Sequence, residues 1–455
     1  MLQSINPYTG QLIQKYPSDS DKTVKEKILA AHEAVNDWKA LGIATRASYL
    51  SALADYLDSH KEQMGQIATD EMGKPISQSI AELEKCAMTL RYYAEHGTAL
   101  LKEEKIKSPY KESFVSFEPL GTVLAIMPWN FPYWQVFRAM GPILISGNTM
   151  LLKHASNVTG CGQAIAEALK ACAFPPGVFE LLQIGSAKVA DVIASEYVHA
   201  VTFTGSTEAG RKVAATAGAH LKKQVLELGG SDAYIILEDA DLKNAVEWCA
   251  NSRLNNTGQS CIAAKRMIVM SSIAAKFERM LMEAFEARPF GNPSDPATVV
   301  GTMARTDLRD ELHRQVERSI EMGAQLLCGG YIPAGDAAFY PPTILSKVSK
   351  GMPAYEEELF GPVASIIVVE TEEEAIRVAN DTQFGLGGAV FTQDLKKGRT
   401  LATHFIEAGS VFVNTMVSSN ALFPFGGIKQ SGYGRELSGY GIREFVNIKS
   451  VVIAE

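Results

Sequence analysis

Several familiar sequence signals are absent from this chain of 455 residues. Its six cysteines form no CxxC pair and no Cys/His group, which argues against a zinc site and against a disulfide framework. We therefore predict no bound metal and reduced thiols, as in the cytoplasm. The first residues lack the basic and apolar regions of a signal peptide, and no apolar run approaches the roughly 20 residues that span a bilayer. The expectation is a cytoplasmic protein with no membrane partner.

An excess of positive charge is also missing. The chain has 43 Lys and Arg residues against 51 Asp and Glu residues, which gives a formal net charge of -8. This balance gives no support for a nucleic-acid partner. The dinucleotide-binding pattern GxGxxG does not occur either, so that motif assigns no cofactor.

The patterns that are present predict a large α/β protein. With 455 residues, of which 46% are hydrophobic, the chain can bury more than one domain core. From residue 113 onward, strand and helix patterns alternate, which is typical of parallel sheets, and a second α/β region begins near Gly229. Before that point, apolar residues at three- and four-residue spacing predict helices over 24–41, 46–60, 61–72 and 76–93.

One cysteine and one glutamate are candidates for chemistry. Cys261 ends a polar, turn-prone run that begins at Asn255. A thiol becomes a nucleophile when nearby positive charge or peptide dipoles lower its pKa, although a single cysteine is also commonly a small buried apolar residue. Glu227 lies among apolar residues of a predicted strand over 223–228. Burial there would raise its pKa and make it a general base, or it would be a paired structural carboxylate.

Two loops at predicted strand ends are further candidates. In Pro128-Trp129-Asn130-Phe131-Pro132 the two prolines prevent regular structure, so Asn130 is held at the carboxyl end of a strand. Alternatively, Asn130 caps a helix that begins at Tyr133. Gly205 and Ser206 join a strand to a helix, where backbone amides can face a phosphate. The same junction could equally be a plain tight turn.

Six ordered motifs resemble those of the aldehyde dehydrogenase superfamily, and the resemblance runs from about Asn6 to the C-terminus. Within the superfamily, residues 129–138, 153–157 and 261–266 are most similar to the short bacterial succinate-semialdehyde dehydrogenases. The motifs are Pro128-Trp129-Asn130-Phe131-Pro132, Phe203-Thr204-Gly205-Ser206, Leu226-Glu227-Leu228-Gly229-Gly230, Gly258-Gln259-Ser260-Cys261, Glu358-Leu359-Phe360-Gly361-Pro362 and Pro424-Phe425-Gly426-Gly427.

The resemblance implies an α/β fold with two doubly wound parallel-sheet domains and a small β oligomerisation element. A cofactor-binding domain would occupy residues 1–228, with an oligomerisation strand at 112–120. A catalytic domain would occupy residues 229–425, and residues 426–455 would return to the cofactor domain and the oligomerisation element.

Roles for individual residues follow from the same resemblance. Cys261 would attack the aldehyde carbon, Asn130 and the Cys261 backbone N–H would hold the oxyanion, and Glu227 would activate the water that hydrolyses the thioester. The cofactor would be NADP or NAD. Residues implied to contact it are Trp129, Lys153, Ser156, Gly205, Ser206, Glu358 and Phe360.

Ser156 departs from the commonest family pattern, in which NAD-preferring members carry a glutamate that binds both ribose hydroxyls. A serine leaves room for a 2′-phosphate that a carboxylate would repel, and Lys153 could pair with that phosphate. NADP is therefore expected to be usable, while NAD is not excluded.

Succinate semialdehyde is the substrate that the resemblance favours, and glutarate semialdehyde or an uncharged aldehyde remain alternatives. Arg138 could bind a distal carboxylate, because a guanidinium suits bidentate carboxylate recognition, with Ser418 or Ser419 as a further donor. The structural alternative for Arg138 is an ion pair at a domain interface.

Three other functions remain open: a broad-specificity dehydrogenase, an acylating dehydrogenase that uses coenzyme A, and a non-catalytic cofactor-binding relative. Glu227 argues against the acylating reaction, since thiol transfer needs no water-activating base. The family also implies a homo-oligomer, either a dimer or a tetramer. Its interface would use the strand at 113–117 and the terminal strand, which otherwise leave exposed edges.

Overall fold

The computed structural model describes residues 1–335 and 337–455. Within these residues, a first sheet of six strands is parallel except for the edge strand Gly432–Tyr433. Its central strand, Thr122–Met127, is buried along its whole length, as its continuous apolar run predicts. In sheet order the strands are Gly432–Tyr433, Lys223–Glu227, Ala200–Thr204, Thr122–Met127, Thr149–His154 and Phe179–Leu181.

A second sheet is built from the middle of the chain, and in the described residues it has seven strands. It is parallel except for Gln325–Cys328, which pairs antiparallel with Thr343–Ser346. Neither of these two strands is among the sequence predictions. In sheet order the strands are Gln325–Cys328, Thr343–Ser346, Val363–Val369, Ala264–Met270, Asp232–Ile236, Gly387–Phe391 and Ser410–Val413.

Helices cover the faces of both sheets, so the predicted α/β fold class is confirmed. The helices that precede Gly229 are Asp21–Ala40, Gly42–Met72, Ile76–Leu100, Trp134–Ile145, Thr159–Ala171, Val189–Ala194 and Thr207–Ala219. Those that follow it are Leu242–Leu254, Ser271–Glu286, Thr306–Glu321, Pro353–Glu356, Glu372–Asn380, Leu395–His404 and Ser438–Arg443. Short 3₁₀ turns are Ser156–Val158, Ser186–Lys188, Asn255–Gly258 and Lys429–Ser431.

The helix Gly42–Met72 joins the two separate patterns predicted over 46–60 and 61–72. No proline occurs between residues 46 and 72, so nothing forces a break where the two patterns meet. The helix ends at Gly73, whose φ of 75° lies in the left-handed region that glycine adopts at helix ends. None of the helices in the described part of the chain is long and apolar enough to cross a membrane.

A small antiparallel sheet joins the two segments that the family resemblance assigns to an oligomerisation element. Val446–Ile453 pairs with Glu112–Pro119, which pairs on its other side with Glu104–Lys105. Val446–Ile453 is an edge strand, and its side chains Ile448 and Val452 are 57% and 53% exposed. A fourth sheet is the N-terminal hairpin of Leu2–Ile5 and Leu12–Tyr16. The division into domains at 1–228, 229–425 and 426–455 stays a prediction.

Candidate active site

The carboxyl ends of the first sheet bring several predicted residues to one edge. Parallel strands present these ends together, and ligands of open α/β sheets bind there. Glu227 ends its strand, and the backbone N–H of Gly205 donates to the Glu227 carbonyl over 3.0 Å. Lys153 lies near the end of a neighbouring strand, and the segments that leave neighbouring strands at this edge carry Trp129, Asn130, Ser156, Gly205 and Ser206.

The loop before Cys261 has an unusual backbone. Asn256 and Thr257 have φ of 53° and 54°, a left-handed conformation that residues with a β-carbon seldom adopt. Gly258 has φ of 72°, and a β-carbon there would lie 2.2 Å from the carbonyl oxygen of Gly361. Glycine is thus required at this position, and tertiary contacts must hold the strained loop in place.

Side-chain hydrogen bonds provide those contacts. Thr257 Oγ1 accepts from the Gly301 N–H over 3.0 Å, and Gln259 Oε1 accepts from the Ala304 N–H over 2.9 Å. Asn130 Nδ2 donates to the Gln259 carbonyl over 3.0 Å. The segment from Thr257 to Gln259 is therefore fixed from both the Asn130 side and the Gly301 side.

Asn130 does not cap the helix that follows it, so the capping alternative is wrong. That helix is Trp134–Ile145, and the backbone N–H groups of Tyr133 and Trp134 donate to Glu82 Oε1 over 2.8 and 2.7 Å. A carboxylate from a different helix thus satisfies the free donors at the helix start. The Asn130 amide is turned to the cysteine loop instead.

Burial and nearby positive charge have opposite effects on the pKa of the Cys261 thiol. The thiol is partly accessible and lines a cavity, yet burial raises its pKa to about 12 despite the lowering effect of Lys265 and Arg138. Lys265 Nζ donates to the carbonyls of Ser260 and Cys261 over 2.8 and 2.7 Å. Positive charge is therefore present beside the cysteine, as a reactive thiol requires, but here the cost of burying a thiolate is larger.

Glu227 is buried, at 2% exposure, and neither carboxyl oxygen has a hydrogen-bond donor among the described residues. Burial and then the charge of Glu436 hold its pKa well above the usual carboxyl value, while Arg138 and Arg435 counteract this shift. A paired structural carboxylate would have a donor, so that alternative does not describe Glu227 in this geometry.

Glu358 approaches the turn that follows Glu227. Its carboxylate accepts from the Gly230 N–H over 3.1 Å and lies 3.0 Å from Lys265 Nζ. A β-carbon on Gly229 would be only 2.3 Å from Glu358 Oε2, so glycine permits this approach. Nearby, the rings of Trp129 and Phe360 meet edge to face, with centroids 5.7 Å apart.

At the other end of the sheet edge, Lys153 lies near the end of the strand Thr149–His154, and Ser156 follows that strand. Burial lowers the pKa of Lys153, and no carboxylate among the described residues counteracts that shift. Ser206 is exposed and caps the helix Thr207–Ala219, where its Oγ accepts from the Ala209 N–H over 3.4 Å. A lysine without a counter-ion and a helix N-terminus open to solvent are suited to phosphate groups.

Arg138 is 1% exposed and forms an ion pair with Glu436. Its guanidinium also lies 4.9 Å from the Phe425 ring centroid and donates to Thr204 Oγ1 over 3.4 Å. Nevertheless, Arg138 borders the cavity that contains Cys261, together with Ser418 and Ser419. The carboxylate-binding role of Arg138 stays a prediction, and the structure shows that its charge already has a partner.

Three residues of the site lie outside the sequence predictions. Lys85, from the helix Ile76–Leu100, borders the same cavity and donates to Ser419 Oγ over 3.1 Å. Lys265 and Glu436 act on Cys261 and Arg138 as described above. Lys265 could have been found from its place four residues after the cysteine, whereas nothing in the local sequence of Lys85 or Glu436 indicates their neighbours.

Comparisons with known proteins agree over the full chain. A model described as the aldehyde dehydrogenase family matches residues 1–451. A succinate semialdehyde dehydrogenase (NAD(P)+) of Escherichia coli (strain K12) is 46% identical over 448 residues, which are 98% of this chain and 97% of the relative. A probable succinate-semialdehyde dehydrogenase (NADP(+)) of Synechocystis sp. is 45% identical over 453 residues, which are 100% of both chains. The crystal structure of succinic semialdehyde dehydrogenase from Streptococcus pyogenes in complex with NADP+ has a TM-score of 0.97 at 35% identity and covers 100% of both chains.

Proposed function

The chain belongs to the aldehyde dehydrogenase family, and on that premise we propose that it oxidises succinate semialdehyde to the dicarboxylate with NADP+ or NAD+. The observation that carries the proposal is the small cavity that Cys261 lines together with two cationic side chains, Lys85 and Arg138. An aldehyde carbon at the cysteine and a carboxylate at the other end of the same molecule fit this distribution of groups. The names of the two relatives support the same substrate.

Cys261 is the proposed nucleophile. Its sulfur, as thiolate, adds to the aldehyde carbon and forms a thiohemiacetal, so the carbonyl oxygen becomes an oxyanion. Because burial raises the thiol pKa to about 12, formation of the thiolate needs a base or additional positive charge in the complete complex. Lys265, which donates to the Cys261 carbonyl, is the cation that lowers this pKa most.

Asn130 is the proposed oxyanion donor, together with the Cys261 backbone N–H. One hydrogen of the Asn130 amide is used by the Gln259 carbonyl at 3.0 Å, which fixes the amide and leaves the second hydrogen for the substrate oxygen. Such preorganised donors act where charge develops, and the loss of one typically costs about 10²–10³ in rate.

Glu227 is the proposed general base for hydrolysis. After the hydride has left, a thioester on Cys261 remains, and a water molecule must lose a proton as it attacks. The two oxygens of Glu227, which have no donor among the residues that the structure describes, are available to accept that proton. Burial keeps the pKa of this carboxyl well above its usual value, so its strength as a base increases once it is ionised.

NADP+ or NAD+, when bound, supplies the acceptor for the hydride. Lys153 and Ser156 are proposed to hold the adenosine ribose with its 2′-phosphate, and Gly205 and Ser206 the pyrophosphate. Glu358 is proposed to bind the nicotinamide ribose, with Trp129 and Phe360 packed near the ring. The uncompensated Lys153 side chain supports the use of NADP+, because a phosphate would provide its missing counter-charge.

The experiment that tests this function is a steady-state assay of reduced-cofactor formation. Succinate semialdehyde and butyraldehyde, which lacks the distal carboxylate, are compared with NADP+ and with NAD+. We expect kcat/KM to be at least about tenfold higher for the semialdehyde, which corresponds to one interaction with a charged group. Equal use of the two aldehydes would contradict the proposed substrate and leave a general aldehyde dehydrogenase.

We also propose a homo-oligomer, a dimer or a tetramer, built through the sheet of Glu112–Pro119 and Val446–Ile453. The half-exposed Ile448 and Val452 on its edge strand support an interface there, because exposed edges invite strand pairing. A cytoplasmic location is proposed as well, and the six free cysteines are consistent with a reducing compartment. Light scattering on the purified protein tests the first of these proposals.

A further inference from the structure

We infer that Lys85 is a specificity-determining residue that binds the distal carboxylate of the semialdehyde. The inference rests on the proposed function, because it names how that substrate is recognised. The sequence expectation assigns the carboxylate to Arg138, whereas this inference assigns it to Lys85. The position of Lys85, its charge environment and the size of the cavity support it in turn.

Lys85 reaches the substrate cavity from the helix Ile76–Leu100. It borders the space that also contains Cys261, Ser418 and Ser419. Its Nζ donates to Ser419 Oγ over 3.1 Å and lies 3.9 Å from the Trp134 ring centroid. Both neighbours are neutral, so they orient the ammonium group without compensating its charge.

The charge of Lys85 has no carboxylate partner among the described residues. The nearest acid that acts on it is Glu82, which is already paired with Lys74 and accepts two backbone N–H groups. Burial and then the charge of Arg138 lower the pKa of Lys85 to about 8. A partly buried cation without a counter-ion is unfavourable, and a substrate carboxylate would supply the missing charge.

Arg138 is less suited to this task because its guanidinium is engaged. It pairs with Glu436, contacts the Phe425 ring and donates to Thr204 Oγ1. A substrate carboxylate at Arg138 would have to compete with a fully buried carboxylate that is part of the protein. Lys85 has no such competitor in the part of the chain that the structure describes, and its ammonium group has three donors, of which Ser419 uses one.

Ser419 strengthens this assignment. Its hydroxyl oxygen accepts from Lys85 Nζ, so the hydroxyl hydrogen is free to donate to the same carboxylate oxygen. The cavity has a volume of about 120 Å³, somewhat less than the ~150 Å³ cavity that takes up benzene in another protein. It therefore suits a molecule of a few carbon atoms with the aldehyde at Cys261 and the carboxylate at Lys85.

The test is the Lys85→Met variant, which keeps an unbranched side chain of similar length and removes the charge. We expect its KM for succinate semialdehyde to rise roughly 10- to 100-fold, the range for a lost hydrogen bond to a charged group. Its kcat with this substrate, and both constants with butyraldehyde, should stay within about twofold, because only uniform binding is lost. The matched control Lys85→Arg keeps a cation and should recover most of the preference for the semialdehyde.

The pH dependence of the wild-type enzyme gives a second measurement that needs no variant. The charged and titratable groups that act on Lys85 are Arg138, Glu82, Lys74 and Cys86. Glu82 forms an ion pair with Lys74, and Arg138 forms one with Glu436. As pH rises through about 8, Lys85 loses its proton, so KM for succinate semialdehyde should rise. KM for butyraldehyde should not follow it.

The outcomes separate this inference from the proposed function. If the wild type prefers the semialdehyde and Lys85→Met keeps that preference with folded structure intact by circular dichroism, Lys85 is not the anchor and the role returns to Arg138. If the wild type has no preference for the semialdehyde, the proposed substrate and this inference both fail. A preference that is lost in Lys85→Met and recovered in Lys85→Arg supports both.

Discussion

Lys74 and Lys85 lie close together in the chain, and they differ in what surrounds their charges. Lys74 is fully buried, pairs with Glu82 and stands 3.9 Å from the Phe131 ring centroid. The second oxygen of Glu82 accepts the two backbone N–H groups at the start of the helix Trp134–Ile145. Every charge in this arrangement, which we call the closed pair, has a partner within the protein.

The groups around the cavity and the cofactor edge are arranged differently. Among the described residues, Lys85 directly contacts only the neutral side chains of Ser419 and Trp134, Lys153 has no carboxylate to offset its burial, and Glu227 has no donor on either oxygen. We call these three residues and Cys261 the open groups. Burial shifts the pKa of each of them away from its ordinary value, upward for the acids and downward for the lysines.

The difference indicates which buried charges support the fold and which are available to ligands. A buried pair with all its hydrogen bonds satisfied is costly to break but offers nothing to a substrate. A buried group without a partner is costly to keep and is compensated when a ligand brings the missing charge or donor, so such groups concentrate at functional sites. Substitutions in the two arrangements should therefore have separable effects on stability and activity.

The largest effect is expected from the open group that forms a covalent bond. Cys261→Ala should lower dehydrogenase turnover by at least about 10⁴-fold, because no other thiol lines the cavity in the described residues. Binding of NADP+, measured by quenching of tryptophan fluorescence, should be retained. Cys328→Ala, a change at a cysteine outside the cavity, is the control and should keep activity. Turnover close to wild type in Cys261→Ala would remove the nucleophile assignment.

Substitutions in the closed pair should lower the free energy of unfolding. Lys74→Met leaves Glu82 buried with an unpaired charge and should cost about 3–5 kcal/mol of unfolding free energy, measured by urea denaturation. Lys85→Met removes an open charge and should change stability far less. The double variant Lys74→Met with Glu82→Gln should recover part of the loss. Equal destabilisation by Lys74→Met and Lys85→Met would erase the distinction between the two arrangements.

Local sequence was sufficient to predict some of the elements that carry the site residues. The strand that carries Glu227 and the loop that carries Cys261 could be predicted because apolar runs and turn-forming residues act over a few positions. The order of strands in the two sheets, by contrast, could not be predicted, because it depends on contacts between distant segments. The join between the patterns at 46–60 and 61–72 was missed because two helical patterns in phase look the same whether or not the helix is continuous.

The partners of buried charges could not be predicted, since they depend on contacts between distant segments. Arg138 pairs with Glu436, and Lys85 contacts Ser419, across some three hundred residues of chain in each case. From sequence alone, Arg138 is the better carboxylate ligand because a guanidinium is the better chemical match. Only the three-dimensional structure reveals that Arg138 already forms an ion pair and that Lys85 forms none among the described residues.

Among the open groups, Glu227 should affect one step and not another. Glu227→Gln should slow thioester hydrolysis about 10²–10³-fold while a burst of reduced cofactor remains, as followed by stopped-flow absorbance. The wild-type steady-state rate should fall as pH is lowered through the raised pKa, because Glu227 must be ionised to accept a proton from water. A variant with an unchanged steady-state rate would show that another group activates the water.

The smallest effect is expected at the cofactor edge, where Lys153 is the open group and Ser156 is its neighbour. Ser156→Glu puts a carboxylate where a 2′-phosphate is proposed to bind and also gives Lys153 a partner within the protein, which converts an open charge into a closed one. Both changes disfavour NADP+, so the ratio of kcat/KM for NADP+ to that for NAD+ should fall about tenfold, or ~1.4 kcal/mol. The control Ser156→Gln adds similar bulk without charge, so it separates steric from electrostatic causes. If the NADP+/NAD+ ratio of kcat/KM falls as much in this variant, then the available space, and not the charge of Lys153, sets the cofactor preference.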